Sequence, residues 1–224
     1  MDNLDSINFN ILEELFKNQH LLQEMNVDSK GFRSFLGELH NWYNCPAYHN
    51  FAHVVDVTQC LSLIINELGV SEILTPLEQF ALLISGIAHD MGHEGLNNDY
   101  LVQTDSHIVD SLGTDSPLEK LSVKILHRIF DDYRDTTFEK WTQDDFNNLK
   151  ELTDTAIIAT DMSFHQKIVD NFKKCSKRKY SEEFKSSLLQ MSIKVADLSN
   201  VFRPIKTSKE WSRRVRKEFF NQGD

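Results

Sequence analysis

An all-α fold, a compact multi-helix bundle in a single domain over residues 1–224, is what this sequence predicts, and three observations lead there. Apolar residues recur every three or four positions in long blocks, the mark of helices with one buried face. Strict two-residue alternation is scarce. Only four prolines and eight glycines punctuate the 224 residues, too few for the turns of a many-stranded sheet. At 40% hydrophobic, a chain of this length buries one sizeable core, and its composition calls for no second domain.

The elements follow in order. Ile11–Phe16 with Leu21–Leu22, then Phe32–Leu39, carry the first helical stripes. A loop at Asn44-Cys45-Pro46 precedes the block Val54–Leu68, which Gly69 closes. Thr75-Pro76 opens Leu77–Ala88, with proline at the first helical position. Loops at Met91–Asn98 and Leu112–Pro117 flank a polar stretch, and Leu118–Ile129 and Phe184–Leu198 are the last clear blocks. Seven to nine helices are expected. The basic run Lys173 to Lys179 has no aromatic residue until Tyr180, so a solvated loop between two helices is preferred there over an anion-binding patch.

Charge and cysteine usage narrow the function classes. A net charge of −10 and a pI near 5.3 argue against a nucleic-acid partner, which requires a basic surface. A small anionic substrate is compatible with that charge if bound divalent metals supply local positive potential. Cys45, Cys60 and Cys175 are odd in number and widely spaced, which suits a reducing compartment better than a disulfide framework. No segment has the length of a membrane span, and the first ten residues lack the pattern of a signal peptide, so a cytoplasmic location is expected.

Three local patterns are candidates for metal chemistry. His49 and His53 stand four apart, so both imidazoles share one face if the turn is helical, although such a pair is often simply packed. His89-Asp90 ends an apolar helix and enters a loop containing Gly92 and Gly95; a pair that merely caps this turn is the competing interpretation. Asp197 interrupts an apolar helix, where a carboxylate must be paired or coordinated. Imidazole nitrogen suits zinc, and carboxylate oxygen bridges to a harder ion such as magnesium.

The patterns YHNFAHVVDVTQ at 48–59, HDMGHEGLNN at 89–98, ATDMSFH at 159–165, ADLSN at 196–200 and EFFNQGD at 218–224 together resemble the class I 3′,5′-cyclic nucleotide phosphodiesterases of the HD-domain superfamily. The resemblance runs from about Trp42 to the last residue. It implies hydrolysis of cAMP or cGMP to the 5′-monophosphate, by in-line attack of a hydroxide that bridges two metals. His53, His89, Asp90 and Asp197 are implied as ligands of a tight zinc, with Asp90 bridging to a second ion, Mg2+ or Mn2+. His49 is implied as the general acid for the O3′ leaving group, with Glu218 holding its other ring nitrogen. His93, Glu119, Thr160 and Asp161 match outer groups near the phosphate and metal-bound water. Tyr48, Asn98, Met162 and Asn200 match nucleotide-side positions, Asn98, Met162 and Asn200 being equally open to turn or core roles.

Two departures from the family pattern stand out. Leu121 and Ser122 replace a usual pair of histidines, which on this basis removes imidazoles from around the metals. The family also continues past the EFFxQGD segment into helices that carry an aromatic clamp and a purine-binding glutamine. This sequence stops at Asp224, so relative to the family the domain is C-terminally incomplete and some apolar surface is expected to lack its cover. Two alternatives remain open at this stage: another HD-type nucleotide phosphohydrolase, or a degenerate domain that binds metal or nucleotide without efficient turnover. Cyclic-nucleotide preference and oligomeric state are not encoded legibly.

Overall fold

Thr75 starts the helix around which the rest of the molecule is built. Its hydroxyl accepts a hydrogen bond from Glu78 N (3.3 Å), and Glu78 Oε2 accepts one from Thr75 N (2.6 Å), closing a capping box ahead of Pro76. The helix that follows, Pro76–Ala88, is buried on every side from Glu78 onward. A mostly apolar sequence makes this possible, since a helix hydrophobic nearly all round belongs at the centre of a bundle. Its polar members are bonded: Glu78 in the capping box, Gln79 to the Leu74 carbonyl and Ser85 to the Ala81 carbonyl.

The computed structural model describes residues 3–178 and 180–223. Among these residues twelve α-helices occur: α1 (Asn3–Asn18), α2 (Leu21–Glu24), α3 (Ser29–Asn41), α4 (Phe51–Glu67), α5 (Pro76–Ala88), α6 (Asn98–Gln103), α7 (His107–Leu112), α8 (Pro117–Tyr133), α9 (Gln143–Ile158), α10 (His165–Cys175), α11 (Glu182–Asp197) and α12 (Ile205–Gln222). Short 3₁₀ turns lie at Val70–Glu72, Met162–Phe164 and Leu198–Phe202. No strand appears among the described residues. The fold is all-α, and the count exceeds the seven to nine expected because α2, α6 and α7 are only four to six residues long. Such pieces are too short to leave a periodic signal.

Helices α4, α9 and α11 surround α5, while α1 and α3 cover α4 and α8. The core is aromatic at one end: Phe16, Phe32, Phe35, Phe80, Phe130, Phe138 and Phe146 form a continuous chain of ring contacts, with Phe35 stacked on Phe130 at 5.8 Å. Each such ring removes a large apolar area from water, and the edge-to-face pairs add to that. This rigid half leaves the ends of α4, α5 and α11 to form a polar cavity.

Two local expectations need correction. His49 does not share a helical face with His53, because α4 begins at Phe51. Asn50 is the cap: it is extended, and its side chain accepts from Ala52 N and His53 N, so His49 precedes the helix in the capping segment. The basic run is not all loop either, since Lys173 and Lys174 lie in the last turn of α10, where positive charge is favoured by the negative end of the helix dipole. Lys179 lies outside the described residues. No described helix is long and apolar enough to cross a membrane.

Candidate active site

Four side chains meet where three helices end. His53 is in the first turn of α4, His89 caps α5 and is followed by Asp90, and Asp197 is the last residue of α11. His53 Nε2 lies 3.1 Å from Asp197 Oδ1 and 3.6 Å from Asp90 Oδ2. His89 Nε2 lies 3.1 Å from Asp90 Oδ2 and 3.6 Å from Asp197 Oδ1. His89 Nδ1 points at the Gly86 carbonyl (3.0 Å), and an N–H there leaves Nε2 to present its lone pair inward.

The chemistry of this cluster calls for a cation. His89 Nε2 and Asp90 Oδ2 are buried without a hydrogen-bond partner, although they face each other. Burial opposes every charge here, yet the Asp90 and Asp197 carboxylates hold the His89 imidazole well above its usual range; His89 with His49 holds the Asp90 carboxyl well below its own, and His53 with His89 does the same for Asp197. Two imidazoles and two carboxylates on a short perimeter fit a divalent ion, and the carbonyl behind His89 is the orienting contact that metal-binding histidines ordinarily have. Among the described residues, two groups of side chains have ligand atoms close enough to share an ion, His53–His89–Asp90 and His49–His93–Glu218; in the second, His49 and Glu218 are already bonded to each other.

Beside this cluster stands a second one. Glu218 of α12 accepts hydrogen bonds from Tyr48 N (2.5 Å) and His49 N (2.9 Å), and its other oxygen is 2.6 Å from His49 Nδ1. Burial disfavours a charged His49, but the Asp90 carboxylate and the Glu218 contact outweigh it and raise the imidazole's pKa. Burial likewise opposes the Glu218 charge, and its bonds to His49 and the two backbone amides bring its pKa down. His93 stacks on His49 at 3.8 Å, and burial together with the His49 charge pushes it down to about 4. Its Nδ1 accepts from Gly95 N (2.9 Å), so the neutral ring carries its proton on Nε2. The loop needs its glycines: Gly92 and Gly95 sit at φ of 79° and 82°, and a Cβ on Gly95 would lie 3.2 Å from Pro46.

Both clusters open into one cavity of about 580 Å3. Tyr48, His49, His89, Asp90, His93, Asn98, Glu119, Thr160, Asp161, Met162, Asp197 and Glu218 line it, so twelve of the fourteen residues singled out in the sequence converge there. His53 lies just behind, fully buried. Asn200 is directed elsewhere: its amide donates to the Tyr48 hydroxyl and the Asp197 carbonyl. Asn98 is shared, bonding Glu119 Oε2 (2.9 Å) and Leu118 N (3.1 Å) while also lining the cavity. Burial raises the Glu119 carboxyl.

Leu121 and Ser122 do not face the cavity. Ser122 donates to the Met91 carbonyl (3.0 Å), and the Leu121 side chain lies against Gly92, so the departure from the family pattern supports the His-Asp loop from behind. Residues of α12 were missed by sequence reasoning. Val215, Phe219 and Gln222 line the cavity, Gln222 Oε1 accepts from Asn97 N (2.8 Å), and the Trp211 ring packs on Tyr48 and His53. The spacing Trp211, Val215, Glu218, Gln222 was the available signal, one face of a helix carried back from Glu218. Val201, Phe202, Ile205 and Phe220, nearby in sequence, are exposed.

Known proteins resemble this chain in both sequence and fold. The chain is 31% identical over 214 residues to the high affinity cGMP-specific 3′,5′-cyclic phosphodiesterase 9A of Drosophila melanogaster, covering 95% of this chain and 14% of that protein. It is 25% identical over 222 residues to the probable 3′,5′-cyclic-AMP phosphodiesterase pde-4 of Caenorhabditis elegans, covering 94% and 33%. The chain thus spans a third or less of these two relatives. The crystal structure of the phosphodiesterase domain of a rhodopsin–phosphodiesterase fusion protein from Salpingoeca rosetta superposes with a TM-score of 0.91 at 25% identity, over 99% of this chain and 72% of that one. The likeness therefore includes α1–α3, ahead of the motifs. The profile of the 3′5′-cyclic nucleotide phosphodiesterases matches residues 48–224, and the chain belongs to that family.

Proposed function

We propose that this domain hydrolyses a 3′,5′-cyclic nucleotide, cAMP or cGMP, to the 5′-monophosphate in a metal-dependent reaction with His49 as the general acid. The observation that carries the proposal is the juxtaposition, in one cavity, of the His53–His89–Asp90–Asp197 cluster with a His49 imidazole that Glu218 helps keep charged. His53, His89, Asp90 and Asp197 would hold a zinc ion, and Asp90 would reach a second ion, magnesium or manganese, among Glu119, Thr160, Asp161 and the water around them. When bound, the two ions supply Lewis-acid charge on the phosphate and an activated water for in-line attack.

The chain's own residues do the rest. His49 Nε2 donates its proton to the departing O3′, because an alkoxide leaves poorly without one. Glu218, gripping Nδ1 and two backbone amides, fixes the direction in which that proton points. His93, neutral with its proton on Nε2, is a donor suited to a phosphate oxygen. Tyr48 and Met162 border the nucleotide, and Asn200 acts by holding Tyr48. The unbridged Cys45, Cys60 and Cys175 fit a cytoplasmic setting, and the acidic composition fits a protein without a nucleic-acid partner.

Hydrolysis of both cyclic nucleotides with and without added zinc and magnesium tests the proposal. His49→Ala is expected to lower turnover while metal content stays near wild type. Asp197→Ala is expected to lose bound zinc and activity together. Full activity in metal-free Asp197→Ala protein would sink the mechanism.

A further inference from the structure

Lys194 is an unusual lysine. It sits on α11 one turn before Asp197 and is only 2% exposed, although a buried ammonium is costly unless hydrogen-bonded. Among the described residues no carboxylate lies within ion-pair distance of it. Its Nζ instead donates to two consecutive backbone carbonyls, Thr160 O and Asp161 O, each at 3.3 Å, and touches Met162 Sδ at 3.7 Å. A methionine would fill the same space without burying a charge.

The turn it grips forms part of the cavity wall. Thr160, Asp161 and Met162 all line the cavity, and Met162 is 57% exposed at its edge. The other side of the turn is tied independently: Asp161 accepts from Ser116 Oγ and Ser163 N, and the Thr160 hydroxyl donates to Ile157 O. Without Nζ, nothing else described joins the Thr160 and Asp161 carbonyls to the helix that ends in Asp197.

We propose that Lys194 is a positioning residue, whose ammonium ties the Thr160–Met162 turn to α11 and so holds that wall of the cavity at a fixed distance from Asp197. Its relevance to turnover rests on the phosphodiesterase reaction proposed above; the tether itself does not. Lys194 does not line the cavity, and among the described residues its ammonium bonds only to the Thr160–Met162 turn. Its effect runs through the orientation of Thr160 and Asp161, the groups expected to order water around the second ion, and outer contacts of this kind change activity or metal affinity by about 10- to 100-fold when removed.

The test uses the whole chain with Lys194→Met, close to isosteric and uncharged, and Lys194→Gln, which retains a shorter N–H donor. Hydrogen exchange followed by mass spectrometry reads the tether directly. The amides of Ser163 and Phe164, bonded to Asp161, and of Thr160 and Asp161, bonded to the last residues of α9, should exchange about ten-fold faster in Lys194→Met, with α5 unchanged and Lys194→Gln intermediate. In steady-state assays kcat should fall about ten-fold and the half-activating magnesium concentration should rise, with a smaller change in KM. Unchanged exchange in the turn overturns the proposal. So does faster exchange throughout both variants, or loss of cooperative unfolding in both, since Lys194 would then be core material only. A wild-type protein that hydrolyses neither cyclic nucleotide refutes the proposed function, and the exchange measurement still decides the tether.

Discussion

His49 and Glu218 are 169 residues apart in sequence, and their contact brings the end of the chain into the reaction centre. Asp90, Glu218 and Asp197 all favour the charged imidazole; if Asp90 and Asp197 hold a metal as proposed, Glu218 is the carboxylate left to keep His49 charged. The signs follow from the two shifts. His49 is raised, so the stabilisation it draws from the pair is complete at low pH and lost as pH climbs through its folded pKa. Glu218 is lowered, so its share is present at neutral pH and lost as pH falls through its own folded pKa. The pair is strongest between those limits. Glu218→Gln is therefore expected to move the alkaline limb of the kcat–pH profile to lower pH, because an uncharged partner no longer favours the imidazolium. A limb that stays in place while only its amplitude drops would assign the charge on His49 to something other than Glu218.

At the scale of the element, legibility follows local signal. The proposed ligand positions could be singled out as candidates because His89 and Asp90 follow the apolar run of α5, Asp197 ends that of α11, and His53 stands four residues from His49; their shared role came from the family resemblance. Thr75-Pro76 was legible because capping chemistry is local. Helix α12 was not, for it fully buries only Glu218, leaves Trp211 and Val215 half-buried and is otherwise mostly charged or exposed, so it has no strong apolar stripe to announce it. Its place in the site came from a family resemblance and not from the residues themselves. The position of His49 was misjudged because spacing cannot reveal that Asn50 caps the helix between the two histidines. The capping box at Thr75 carries its own prediction. Thr75→Ala should cost about 1 kcal/mol of unfolding free energy in urea titration. Metal content should be unaffected, because His89 lies at the opposite end of α5; a loss of bound metal with no loss of stability would contradict that division.

Over the whole molecule, the His–Asp cluster joins α4, α5 and α11 at one end, while the phenylalanine chain packs the bundle at the other. Among the described residues the aromatic end offers no metal-binding groups. The polar end does, since it places two carboxylates against two imidazoles with His89 Nε2 and Asp90 Oδ2 buried and unpartnered. An ion that binds the folded chain and not the unfolded one stabilises by mass action, by about 2.7 kcal/mol when its free concentration is a hundred times its dissociation constant. Chelation is thus expected to lower the midpoint of thermal unfolding without abolishing the cooperative transition, because the core persists. Restoring zinc should restore the midpoint, and Asp197→Ala protein, already lacking a ligand, should show little difference between the two conditions. Equal midpoints for metal-loaded and stripped wild-type protein, with metal content verified in each, would mean that the cluster is satisfied by its own ion pairs and that the bundle does not depend on an ion to hold its three helix ends together.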